Sequence, residues 1–125
     1  MKKKLTITLL VVTMFSVKNI NAQTNSTILR HVVMITFKQD ANADSIQALD
    51  NLYIVLSKNS VVKDFEWGIN ISTRDTGVIK HIYATSFSSK EDMDAYRKLP
   101  EYAKLFKLSL PLAEDVTVGD YWAKK

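Results

Sequence analysis

The sequence predicts an α+β domain: a four-stranded antiparallel sheet in the order β-α-β-β-α-β, with its helices packed on one face. Three observations carry this reading. Four stretches, Leu29–Lys38, Val61–Ile71, Ile79–Phe87 and Val116–Trp122, are rich in β-branched and aromatic residues with a period of two. Between the first pair, Ile46, Leu49, Leu52, Tyr53 and Leu56 recur at spacings of three and four, the mark of one buried helical face. Between the last pair, a second helical stretch is interrupted by Pro100.

The first strand, LRHVVMITFK, alternates His31, Val33, Ile35 and Phe37 with Val32, Met34 and Thr36. A strand covered on one side only would alternate apolar with polar residues, so both of its faces call for cover. After the polar link 39–43, Asp44 is the expected N-cap of the first helix, because its carboxylate can accept the orphan amides of the first turn. Asp50 and Asn51 are expected opposite the buried stripe, and Lys58-Asn59-Ser60 ends the helix. Phe65, Trp67 and Ile69 then alternate with Asp64, Glu66 and Gly68, which reads as an edge strand with one wet side. The turn-rich segment 72–77 returns the chain into the third strand, where His81, Tyr83, Thr85 and Phe87 oppose Ile82, Ala84 and Ser86.

Ser88 and Glu91 have the spacing of a capping box at the start of the second helix, whose apolar line is Met93 and Tyr96. Pro100 breaks it, and a further short helix over 101–110 buries Tyr102, Leu105 and Phe106 before Pro111 closes it. The last strand sets Val116, Val118 and Asp120 on one face and Thr117, Gly119 and Tyr121 on the other.

The domain is expected to span residues 29–125, preceded by a flexible arm over 23–28 and an export signal over 1–22. Lys2, Lys3 and Lys4 form a basic start, and Leu5–Val17 is a run of thirteen residues, mostly apolar. That is short of the roughly 20 apolar residues a spanning helix requires, so cleavage before Gln23 and delivery to the periplasm or the exterior are expected, with no membrane attachment afterwards. The chain has no cysteine, hence neither a lipid anchor nor a disulfide. Its formal charge of +4 is a property of the signal: four of the 17 Lys and Arg residues lie there and none of the 13 Asp and Glu, leaving 13 of each sign in the remainder. Nucleic-acid binding thereby loses its basic face.

No metal and no cofactor is expected. Two histidines fifty residues apart make no ligand set, and three scattered glycines make no phosphate loop. A nucleophile elbow of the Gly-x-Ser-x-Gly kind is also missing. The sheet face away from the helices still carries Val32, Met34, Thr36, Ile82 and Ala84, and exposing each large apolar side chain forfeits roughly 1.5–3 kcal/mol. A homodimer with its sheets face to face would bury them.

LRHVVMITFK at Leu29–Lys38, FEWGINIS at Phe65–Ser72, HIYATSFSSKEDMDAY at His81–Tyr96, LPEYAKLF at Leu99–Phe106 and EDVTVGDYW at Glu114–Trp122 together resemble the stress-responsive alpha/beta-barrel (Dabb) family. The resemblance implies a ferredoxin-like fold that pairs into a dimeric α/β barrel. In a plant polyketide cyclase of that family it implies a histidine base two residues after the helix-breaking proline, oriented by a helix tyrosine. Tyr96 matches that tyrosine, but Tyr102 stands in the place of the base and Leu99 in that of a second histidine. A phenol with a pKa near 10 is a poor base at neutral pH, so the cyclase mechanism does not transfer. The strand histidines do carry over, as His31 and His81.

Strand parity and the resemblance together set His31, Val33, Ile35, Phe65, Tyr83, Val118 and Asp120 toward the helices, opposite Tyr53, Tyr96 and Tyr102. The expected ligand site is therefore His31, Tyr53, Phe65, His81, Tyr83, Tyr96, Tyr102 and Asp120, an apolar cleft with phenols and imidazoles for a small hydrophobic or aromatic molecule. Two other functions fit the same residues: a cofactor-independent enzyme of the cyclase, isomerase or small-monooxygenase kind, and a structural stress protein without a ligand.

Overall fold

The computed structural model describes residues 28–124; the expected export signal and the arm up to residue 27 lie outside the described residues. The elements are β1 (Leu29–Phe37), α1 (Ala43–Ser57), β2 (Asp64–Ile69), β3 (Lys80–Phe87), α2 (Lys90–Arg97), α3 (Pro100–Ser109) and β4 (Ala113–Trp122), with a short 3-10 turn at Thr73–Asp75. One antiparallel sheet in the order β2-β3-β1-β4 holds all four strands. This is the ferredoxin-like α+β architecture expected from the strand and helix periods. Among the described residues no helix is long and apolar enough to cross a membrane.

Register fixes which side chains meet, because residues directly opposite in a ladder share a face. Toward the helices, Phe65, Thr85, His31 and Asp120 form one row across the sheet. Trp67, Tyr83, Val33 and Val118 form the next, and Ile69, His81, Ile35 and Val116 the third. The core lies beneath α1, α2 and α3, where Leu49, Tyr83, Tyr96, Phe37 and Phe87 are almost wholly shielded. On the far face Val32, Met34, Thr36, Ile82 and Ala84 are half-buried, as expected of a surface that wants a cover. Gly68 stands beside Ile82 and Gly119 beside Val32, and an added Cβ at either would meet nothing within 4 Å. That face is consequently flat.

Several expectations need correcting. The N-cap of α1 is Asn42, whose side-chain oxygen accepts from the Ser45 amide at 3.0 Å. Asp44 falls inside the first turn, where its charge meets the positive end of the helix dipole. The cap of α2 is Ser89 rather than Ser88: its hydroxyl accepts from the Asp92 amide at 3.1 Å in extended backbone geometry. Pro100 breaks the helical stretch as expected and itself opens α3, where a missing amide is harmless. Strand β4 starts three residues earlier than expected, and a register shift opposite Thr36 and Phe37 admits Glu114 as the extra residue of a bulge. Asp50 is the main error. It is buried, because it lies four residues after Ile46 and three before Tyr53, on the same stripe.

The helices cover β1 and β3 and leave the sheet edges bare. Val116 and Val118 face the helix side and are still 47% and 51% exposed. The row that was expected to line a roofed cleft is therefore open at its β4 end.

Candidate functional site

Two histidine–aspartate pairs lie on the helix-facing side of the sheet. In the first, the His31 Nδ1–H donates to Asp120 Oδ1 at 2.5 Å, directly across the β1–β4 ladder. Arg97, at the end of α2, donates from Nη2 to the other carboxylate oxygen at 2.5 Å and so ties that helix to β4. Burial alone would raise the Asp120 pKa, but the bonds and charges of His31 and Arg97 outweigh it and hold the carboxyl below its ordinary range. Burial would likewise depress Arg97, and Asp120 reverses that, so the guanidinium is held above its usual value. The imidazole of His31 is anchored by a carboxylate that stays ionised.

With Nδ1 committed to Asp120, the remaining ring nitrogen of His31 is Nε2. This atom is buried and has no hydrogen-bond partner among the described residues. The hydroxyl of Tyr96 is in the same condition. Tyr96 rises from α2 and packs its ring edge against Phe87 at 5.1 Å and Tyr102 at 5.4 Å. Burial, reinforced by Tyr102, pushes its phenol up to about 12. The Thr85 hydroxyl lies near enough to ease that shift without reaching hydrogen-bond geometry, and Thr85 is directly opposite His31 in the ladder. At neutral pH the phenol is a donor without an acceptor, and the His31 ring nitrogen Nε2 is likewise without a partner among the described residues.

The second pair is His81 and Asp50. Nδ1–H of His81 donates to Asp50 Oδ1 at 2.8 Å, and the Tyr83 hydroxyl donates to the same oxygen at 2.7 Å. Burial raises the Tyr83 phenol well above its usual value, and the bond to the Asp50 carboxylate adds to it. The Tyr53 ring stacks on Tyr83 at 3.7 Å, and burial raises its phenol too. The row holding Tyr83 and Val33 lies between the rows of the two histidines, so this stack divides the expected site into two halves.

All eight residues expected at the site face the helix side of the sheet or rise from α1, α2 and α3. His31, Asp120, Tyr96 and Tyr102 gather at one end, with Phe65 half-buried in the His31 row. Tyr53, Tyr83 and His81 gather at the other. Sequence reasoning missed Asp50 and Arg97, which organise the two histidines. The usable signal for Asp50 was its spacing from Ile46 and Tyr53; Arg97 carried none beyond adjacency to Tyr96. Among the described residues there is no cluster of three or more His, Cys, Asp or Glu side chains that could hold a metal ion.

Fold and site together define a ferredoxin-like domain with acid–base side chains beneath its helices. The chain belongs to the stress responsive A/B barrel domain family, whose model matches residues 29–123. A search of curated proteins gave no match. Among solved structures, the hydroxynitrile lyase from Passiflora edulis superposes with a TM-score of 0.71 at 21% identity, covering 80% of this chain and 96% of that one. A protein from Arabidopsis thaliana gives 0.67 at 27% identity, covering 78% and 96%. A dimeric ferredoxin-like protein of unknown function from Thermobifida fusca gives 0.67 at 12% identity, covering 78% and 92%.

Proposed function

We propose that this protein is exported, pairs with a second copy through the outer faces of the two sheets, and binds a small, largely apolar molecule between its helices and its sheet. The observation that carries the ligand reading is the pair of unpartnered polar atoms, His31 Nε2 and the Tyr96 hydroxyl, both sealed in the core. Each buried polar group without a partner costs about 1–3 kcal/mol, and a molecule offering both an acceptor and a donor would recover that. Aromatic rings at Phe87 and Tyr102 supply the apolar contact. A hydroxyl or carbonyl on an aromatic body fits this surrounding.

Pairing is supported by the flat, half-buried outer face, and the Thermobifida fusca neighbour is described as dimeric. Export is supported by the basic start and apolar run of residues 2–17. Amino-terminal sequencing of protein from the producing cell should read from Gln23.

Saturable binding of 1-naphthol, followed by its fluorescence, tests the ligand reading. Binding should be lost in a Tyr96→Phe/Tyr102→Phe double variant that still unfolds cooperatively. Equal binding by that variant would refute the site.

A second reading makes the same site catalytic. His31 is held by Asp120 in the tautomer that leaves Nε2 free to take a proton, and Arg97 keeps Asp120 charged. The Passiflora edulis neighbour, a lyase, has the same fold. Turnover whose pH–rate profile shows a base titrating near neutrality, abolished by His31→Gln, would establish it.

A further inference from the structure

A cleft of about 540 Å³ opens between the start of α1 and the β2–β3 hairpin, with Asp50 and His81 at its floor. Its apolar walls are Ile46, Ile69 and Ile79, and the last two are 60% and 52% exposed. Asp44 and Gln47 stand on its helical rim. It is separated from the His31 end of the sheet by the stacked Tyr53 and Tyr83 rings.

The chemistry of this cleft is one-sided. The hydrogen bonds from His81 and Tyr83 both end on Asp50 Oδ1, so Oδ2 takes none from any described residue. The same bond engages Nδ1 of His81 and leaves Nε2 as its other ring nitrogen. Asp50 and His81 both line the cleft, with side chains only 10% and 6% exposed. The Trp67 ring packs against the His81 ring, with centroids 5.6 Å apart. Two carboxylates, an imidazole and the Gln47 amide therefore line the space, and no lysine or arginine does.

We propose that this cleft is a second binding site, for a small apolar primary amine in its protonated form. The ammonium carries three donors and no acceptor, the complement of the Asp50 and Asp44 carboxylates that line the cleft. Its charge is matched by Asp50 and Asp44, and its hydrocarbon body covers Ile69 and Ile79. An anion would meet two like charges, which oppose the Gln47 amide and the amino end of α1 that would otherwise favour it. A neutral alcohol could bond to one acceptor but would leave the charge unmatched.

Calorimetric and ¹H–¹⁵N titrations of the whole protein with 2-phenylethylamine, 2-phenylethanol and 3-phenylpropanoate test this. The amine should saturate, with shifts concentrated at Ile46, Ile69 and His81. The alcohol should bind at least about tenfold more weakly, the usual difference for a charge-assisted bond. The carboxylate should not bind. Ile79→Lys, at an exposed position that folding does not depend on, should abolish amine binding by setting a cation in the mouth. Asp50→Asn should weaken it about tenfold or more in a protein that still unfolds cooperatively. Equal binding of amine and carboxylate, shifts elsewhere on the surface, or an unaffected Ile79→Lys variant would overturn the proposal. So would displacement of the amine by 1-naphthol, because the two sites lie on opposite sides of the tyrosine stack.

Discussion

Deleting the Tyr96 hydroxyl should make the ligand-free protein more stable. Tyr96 is 1% exposed, and its hydroxyl has no hydrogen-bond partner among the described residues. Tyr96→Phe keeps the ring in its contacts with Phe87 and Tyr102 and opens no cavity. The variant loses only a buried donor that costs about 1–3 kcal/mol when unpaired. Allowing for the nearby Thr85 hydroxyl, which relieves part of that cost, the expected gain is about 1 kcal/mol. For a domain of this size it corresponds to a rise in Tm of roughly 4–8 °C. Urea and thermal unfolding of protein refolded from denaturant, so that any resident ligand is removed, would measure it. Both proteins must be compared at one protomer concentration, since association shifts Tm. A loss of 1 kcal/mol or more would show that the hydroxyl has a partner in the empty protein, and the argument from unsatisfied atoms would fall.

Other expectations follow from the same geometry. Because the Asp120 pKa is held below its unfolded value, the pair stabilises the fold above the ordinary carboxylate range and loses that contribution as pH falls through the folded value. The stability deficit of Asp120→Asn should therefore be full at neutral pH and shrink below about pH 4, a trend read from urea midpoints across pH. Leu49→Ala, at a site with 0% exposure, should cost about 3–5 kcal/mol in the same assay. Met34→Glu puts a charge at the centre of the flat outer face and should convert a sedimenting dimer to monomer with little change in circular dichroism. A wild-type protein that sediments as a monomer at micromolar concentration would remove the pairing proposal.

Much of the fold could be read from strand parity. His31, Val33 and Ile35 face the helices and Val32, Met34 and Thr36 face away, because a period of two leaves no other choice. The break at Pro100 was equally legible, since proline removes an amide that a helix interior needs. Helix starts were not, because 42–44 and 88–89 offer several cap residues in a row, and only backbone geometry selects Asn42 and Ser89. Half of the site was hidden for a deeper reason. A carboxylate in a helix is normally turned to water, and what reverses that for Asp50 is a histidine and a tyrosine 31 and 33 residues downstream. Arg97 depends in the same way on Asp120, brought near only when β4 pairs with β1.

Native mass spectrometry of protein purified without denaturation tests the central claim most directly, that a small molecule binds beneath the helices through His31 and Tyr96. The expected spectrum is a dimer carrying one small molecule per protomer, with the added mass missing from the Tyr96→Phe/Tyr102→Phe variant. A bare protein, or the same added mass on that variant, would contradict it.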